Sequence, residues 1–207
     1  MMNVEGKTYT EMFRSVKIAT AATVDEFNKP QARIINVMIA NEDGMYIVTS
    51  KGKPFYKQLM ETGEIALSAM CPNNKSLKFT GKCRLVDKFW VDEVFVQNPG
   101  MNEVYPEDSR YILDAFLIYS GQGEFFDLDT YPIQRTYFSY GEVQREEVGF
   151  YIDEQCTKCN VCVKKCPQKC ISTGDTYKIK EENCLFCGLC LEVCPVDAIK
   201  AKHRVFQ

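Results

Sequence analysis

Eight of the chain's 11 cysteines fall into one phrase written twice, and thiolates at that spacing are suited to gripping iron and sulfide. Cys156, Cys159, Cys162 and Cys166-Pro167 are separated by two, two and three residues; Cys184, Cys187, Cys190 and Cys194-Pro195 repeat the spacing 28 residues later. Three thiolates in so tight a loop can each reach a corner of one cubic cluster. A fourth, followed by a proline that turns the backbone away, reaches elsewhere. Zinc asks for two C-x2-C pairs or a Cys/His set, and the sole histidine is His203 in the tail. Disulfides need an oxidising compartment, whereas Met1-Met2-Asn3 leads into polar sequence rather than a secretory leader, so the expected setting is a reducing cytoplasm. Such a module carries single electrons.

The doubled C-x2-C-x2-C-x3-C-P run resembles bacterial two-cluster ferredoxins. That resemblance implies cross-ligation: Cys156, Cys159, Cys162 and Cys194 on one [4Fe-4S] cluster, and Cys184, Cys187, Cys190 and Cys166 on the second. Aligning the two phrases sets Cys170 opposite Ala198, a place where a small apolar side chain suffices. Cys71 and Cys83 stand alone and receive the same reading. Phe186, inside the second loop, either shields a cluster from water or belongs to the core. Lys158, Lys164, Lys165 and Lys169 read as a solvated face; the alternative is a docking surface for a redox partner.

These cysteines need a small scaffold, and the rest of the chain exceeds it. The 207 residues are 45% hydrophobic, enough for a core in each of two domains, expected at 1–145 and 146–207. No stretch approaches the roughly 18–20 apolar residues of a membrane span. A formal net charge of -3 gives no basic patch for nucleic acid. From Asp153 onward there are 7 acidic and 9 basic residues, +2, leaving -5 before it. Two oxidised clusters with eight thiolates would add roughly -4 to the second part.

Residues before about 150 read as strands with two short helices. Strand patterns cover Ile18 to Val24, Arg33 to Ala40, Met45 to Thr49, Glu64 to Ala69, Leu77 to Val86 and Gln134 to Tyr140. Asn41-Glu-Asp-Gly44 is a turn signal, and Lys53-Pro54 opens a helix through Thr62. Lys88 to Gln97 reads as a second helix carrying Trp90 as a packing residue, and Tyr111 to Ser120 fits strand or helix alike. The fold class expected is mainly β with short helices, a small β-barrel plus a small α+β two-cluster domain.

The stretch from Ala32-Arg33 to Ala40, the turn, Val48-Thr-Ser-Lys-Gly-Lys-Pro-Phe-Tyr-Lys-Gln-Leu59, and Leu77 to Val86 with Lys78 and Gly81-Lys82 resembles the pyridoxamine 5'-phosphate oxidase-like family. The family consists of flavin-binding split barrels, and the likeness covers about residues 8 to 140. It implies FMN lying along the strand of Arg33, Ile34, Ile35 and Asn36, with its phosphate at Thr49, Ser50, Lys51 and Lys53 and Lys78 nearby. Hydroxyls, ammonium groups and a helix start are what a phosphate needs. The oxidase proper has an Arg-Lys pair where this chain has Pro54-Phe55, and its pyridoxal-phosphate contacts have no match, so vitamin B6 oxidation is not expected. Other members use haem or the deazaflavin F420, which stay open as alternatives. Members usually form two-fold dimers with flavin at the subunit interface, and such barrels occur fused to ferredoxin modules.

The combined expectation is an iron-sulfur flavoprotein in an anaerobic cytoplasm. FMN takes electrons singly and delivers pairs, so clusters would feed or drain it while a small organic or flavin-type substrate is reduced. Ferredoxin, flavodoxin or a partner reductase would be the soluble redox partner. The alternatives are a non-catalytic relay and a haem or redox-sensing barrel. With no histidine in the barrel, no proton donor is singled out. The glycines of Tyr119-Ser-Gly-Gln-Gly-Glu-Phe125-Phe126 suggest either backbone approach to a flavin ring or a tight turn.

Overall fold

Hydrophobic alternation builds most of the first part. In a computed structural model describing residues 4–143 and 147–202, β1 (Ile18–Val24) buries every second residue, with Ala19 and Ala21 pointing inward. It pairs antiparallel with β2 (Pro30–Asn36) and with β5 (Glu64–Cys71). The eight-stranded sheet runs β2-β1-β5-β6-β7-β4-β3, with β6 Lys75–Leu85, β7 Leu113–Asp127, β4 Gly44–Ser50 and β3 Ile39–Asn41; β8 (Gln134–Tyr140) pairs with β7. The fold is mainly β with short helices.

The run from Arg33 to Ala40, expected as one strand, is two. Alternation fails at Val37, Met38 and Ile39, which are buried in succession, and the chain turns there. The N–H of Val37 donates to the carbonyl of Lys17 (3.2 Å) and that of Met38 to Tyr46 (2.8 Å). Two residues span only about 7 Å, yet they link β2 and β3, the terminal strands of the sheet order. The sheet must therefore curl until its ends approach.

Both faces of β4 and β7 are covered, which resolves Tyr111 to Ser120 as strand from Leu113. Met45, Ile47, Phe116 and Ile118 join a core with Phe79 and Leu59. Tyr46, Ala115 and Leu117 pack on the opposite side against Val91, Val94 and Phe95 of α3 (Phe89–Gln97). Trp90 stacks on Tyr46 at 4.0 Å, the packing role its sequence position suggested. Helix α2 (Pro54–Thr62) starts at its proline and stops at Gly63, whose φ of 64° supplies the left-handed cap.

Two α-helices of the part before residue 145 lie outside the sequence reading. The larger, α1 (Val4–Val16), buries Phe13 completely and sets Tyr9, Met12 and Val16 against the same core. The 9, 12/13, 16 spacing was its signal. The other, α4, is the single turn Met101–Val104.

By contacts, the described residues form two compact units: 4–72, 76–125 and 137–143 in one; 73–75, 126–136 and 147–202 in the other. The second unit has a β9 (Phe150–Ile152)–β12 (Ile199–Ala201) ladder, a β10 (Ile171–Ser172)–β11 (Lys178–Ile179) hairpin, and short helices α5 (Val161–Lys165) and α6 (Leu189–Glu192). Its core is Phe150, Cys162, Ile171 and Ile199. His203 lies outside the described residues. No described helix is long and apolar enough to cross a membrane.

Candidate functional site

The internal repeat is written in backbone as well as in cysteines. Lys158 and Phe186 have φ of 57° and 55°, Asn160 and Gly188 63° and 76°, and Lys169 and Asp197 50° and 51°; each pair is 28 residues apart. A left-handed conformation costs a non-glycine residue roughly 1–2 kcal/mol. The loops accept it because it curls the chain around each set of sulfurs and turns N–H groups toward them. Phe186 N–H donates to Cys184 Sγ (3.4 Å) and Ala198 N–H to Cys194 Sγ (3.2 Å).

Two separate pockets result. One is lined by Cys156, Cys159, Cys162 and Cys194, with Ile152, Tyr177 and Ile199 around them. The other is lined by Cys184, Cys187, Cys190 and Cys166, with Cys170, Phe150 and Leu189. Each thus collects three cysteines of one phrase and the last cysteine of the other. Among the described residues, no three His, Cys, Asp or Glu side chains converge on a point a single metal ion could occupy. The sulfurs instead ring a space. Zinc would need them drawn to about 2.3 Å from one centre, whereas a cubic cluster needs the room, so the residues fit the cluster.

The electrostatics around the second pocket are uneven. Cys170 Sγ lies 3.5 Å from Cys166 Sγ. Hydrogen bonding to Cys184, then burial, then Cys166 push the Cys170 thiol up, while its bond to Cys170 draws the Cys184 thiol down, aided by the Arg135 charge. In the alignment of the two phrases Cys170 stands opposite Ala198, a small apolar residue. Burial takes the Cys190 thiol up to about 11. Cys71 and Cys83 sit in the barrel core, and burial pushes the Cys83 thiol up to about 12, so both are packing residues. Lys158, Lys164, Lys165 and Lys169 are all exposed.

In the barrel the residues expected around a flavin are only partly brought together. Arg33 and Ile35 are half-buried; Ile34 and Asn36 face outward, Ile34 at 66% exposure. Arg33 lies over the Phe55 ring (4.5 Å), donating to Thr23 Oγ1 (2.6 Å) and Gln58 Oε1 (2.8 Å). Burial lowers its pKa. Lys53 is exposed at the extended residue before α2, and no side chain caps that helix start. Thr49 and Lys51 gather instead at Asp114, the cross-strand partner of Thr49. The Thr49 hydroxyl is buried without a hydrogen-bond partner, and Lys51 Nζ stands 3.8 Å from Asp114. Ser50 is half-buried, and Lys78 is exposed on β6.

Asp114 is the polar residue the sequence reading missed. It is buried within a strand, pairs with Lys88 Nζ at 2.7 Å, and adds to burial in raising the Tyr56 phenol. Its only sequence signal was a charge inside an apolar run. The Asp114 carboxylate disfavours a phosphate dianion there, whereas the uncapped start of α2 beside the exposed Lys53 offers N–H groups and a cation.

Residues 155–198 match the 4Fe-4S dicluster domain family, a span that contains all eight repeated cysteines. No curated protein matches the chain. Among solved structures, the chain is similar to a NimC/NimA family protein from Clostridium acetobutylicum, at 19% identity and TM-score 0.58, covering 65% of this chain and 92% of that one. A pyridoxinephosphate oxidase family protein from the same organism, related to general stress protein 26, gives 14% and 0.50, with coverage of 64% and 94%. A pyridoxamine 5'-phosphate oxidase-related, FMN binding protein from Nostoc punctiforme gives 12% and 0.45, with coverage of 68% and 94%. The chain therefore joins a barrel of the pyridoxamine 5'-phosphate oxidase-like fold to a 4Fe-4S dicluster domain.

Proposed function

We propose that this protein is an iron-sulfur flavoprotein in which two [4Fe-4S] clusters exchange single electrons with FMN held on the barrel, for the reduction of a small organic or flavin-type substrate. The observation that carries the reading is the pair of pockets, each lined by three cysteines of one phrase and the last of the other, with Cys170 as a fifth in the second pocket. Cys156, Cys159, Cys162 and Cys194 would hold the first cluster, and Cys184, Cys187, Cys190 and Cys166 the second. When bound, such clusters move one electron at a time, and FMN converts single electrons into the pairs that organic reductions need.

The chain's own residues would position these groups. Pro167 and Pro195 end each cysteine loop. Phe186 and Phe150 pack edge to face at 6.5 Å within the apolar core behind the second pocket, limiting water there. On the barrel, β2 ends the sheet order, so one backbone edge of Arg33 to Asn36 is left for a flavin to lie along. Arg33 and Lys53 would supply positive charge where α2 begins. The barrel fold is shared with a pyridoxinephosphate oxidase family protein, and FMN is the group that would join one-electron clusters to two-electron chemistry.

A homodimer fits the outer face of β1, β2 and β5. Thr20 stands opposite both Ile34 and Ser68, flanked by Ile18 (59% exposed) and Met70 (71%), an apolar surface that a second copy would cover. The proposed setting is the cytoplasm, where thiols stay reduced, with a soluble one-electron donor such as ferredoxin or flavodoxin.

Metal and flavin analysis of anoxically purified protein tests the reading. The expected content is about eight irons, about eight acid-labile sulfides and about one FMN per chain. A sample rich in zinc and lacking sulfide overturns it. Turnover with a reduced one-electron donor and candidate acceptors then distinguishes an enzyme from a relay.

A further inference from the structure

A buried cation beside Cys184 of the second pocket comes from neither cysteine phrase. Arg135 belongs to the segment 126–136, which groups with the cysteine-bearing unit. That segment is tied to both loops of the second pocket. Tyr131 donates its hydroxyl to the carbonyl of Pro167 (3.2 Å), and the N–H of Ile133 donates to Gln168 Oε1 (2.9 Å). Asn183 Nδ2 donates to the carbonyl of Ile133 (2.8 Å). Pro167 and Gln168 directly follow Cys166, and Asn183 directly precedes Cys184.

Within this frame the guanidinium is fixed on three sides. It lies over the rings of Phe186 (4.3 Å) and Phe126 (4.5 Å), and Nη2 donates to the carbonyl of Cys184 (3.1 Å). Arg135 is only 9% exposed, so its charge is weakly screened by solvent. The repeat supplies an internal contrast. The residue equivalent to Phe186 is Lys158, with the same left-handed backbone but no ring, so the first loop offers no such platform. Glu181, the nearby carboxylate on the second side, is itself paired with Lys202 (3.3 Å).

We infer that Arg135 is a positioning residue that sets the reduction potential of the second cluster above that of the first. The inference rests on the two-cluster reading. An oxidised cluster with four thiolates carries about -2, and taking one electron from a donor makes it about -3. A fixed buried cation stabilises the more negative form more strongly, so the electron settles preferentially at the second site. Phe186 and Phe126 hold the cation there, and the Cys184 carbonyl aims it.

The test is an anaerobic potentiometric titration of the full-length holoprotein, followed by the EPR signals of the reduced clusters. Wild type should show two waves. Arg135→Gln should move the higher wave down by at least a tenfold change in the one-electron equilibrium, about 59 mV, and leave the lower wave in place. Arg135→Lys should restore most of the shift, and Phe126→Leu should give a smaller displacement of the same wave. Unmoved waves in a fully loaded Arg135→Gln protein overturn the proposal, as do two waves moving together. Loss of iron on Arg135→Gln also overturns it, since the residue would then hold the site together instead of setting its potential. Wild type without cluster signals would refute the two-cluster reading itself, a separate outcome.

Discussion

Gly121 of β7 lies against Gly81 of β6 so closely that a Cβ on Gly121 would come 2.7 Å from the Gly81 Cα and collide with the Phe79 ring and the Thr80 carbonyl. A Cβ on Gly123 would strike Phe138 and the Lys78 carbonyl. The glycines of the aromatic stretch are thus not a turn. They are strand residues whose missing side chains let two rings lie across the backbone. Gly121→Ala should lower stability by about 1–3 kcal/mol, read as a drop in the urea midpoint at unchanged slope.

Asp114 organises the polar contacts beside Thr49. Its partner Lys88 is half-exposed, so the ion pair alone is worth little, but a buried carboxylate replaced by an apolar group strands its neighbours. Asp114→Ala should cost about 1–3 kcal/mol while leaving iron content at the wild-type level. A matching loss of FMN would show that this cluster, and not the start of α2, supports the flavin.

Arg33 and Lys53 are the cations proposed to meet a flavin phosphate. Lys53→Ala should weaken FMN binding about tenfold, the loss of a single charge-assisted contact, about 1.4 kcal/mol, measured by quenching of flavin fluorescence. Arg33→Ala should weaken it further and also destabilise the barrel, because Thr23 and Gln58 lose their donor. Unchanged affinity in both variants would place the phosphate elsewhere.

Cys170 touches Cys166, a proposed cluster ligand, without being expected to act as one. Cys170→Ala, which installs the residue found at its repeat partner, should keep about eight irons per chain. Cys187→Ala should remove about four of them. A fall to four irons in the Cys170 variant would make that thiol a ligand.

What the sequence determined by itself was chemistry that depends on spacing along the chain. Eight cysteines in two short phrases are a pattern legible along the chain, and the structure places three of each phrase with the last of the other around two pockets. Strands such as β1 and the proline-started α2 were equally readable, because alternation and a fixed φ are local properties. What the tertiary structure decided involved residues far apart in sequence. The break at Val37-Met38 appears only when the sheet curls, and the glycines of β7 acquire meaning only against Phe79 and Phe138. Arg135 is separated from Cys184 by 49 residues, and nothing in its local sequence marks it. A buried charge acts through space, so its role becomes visible only once folding has chosen its neighbours.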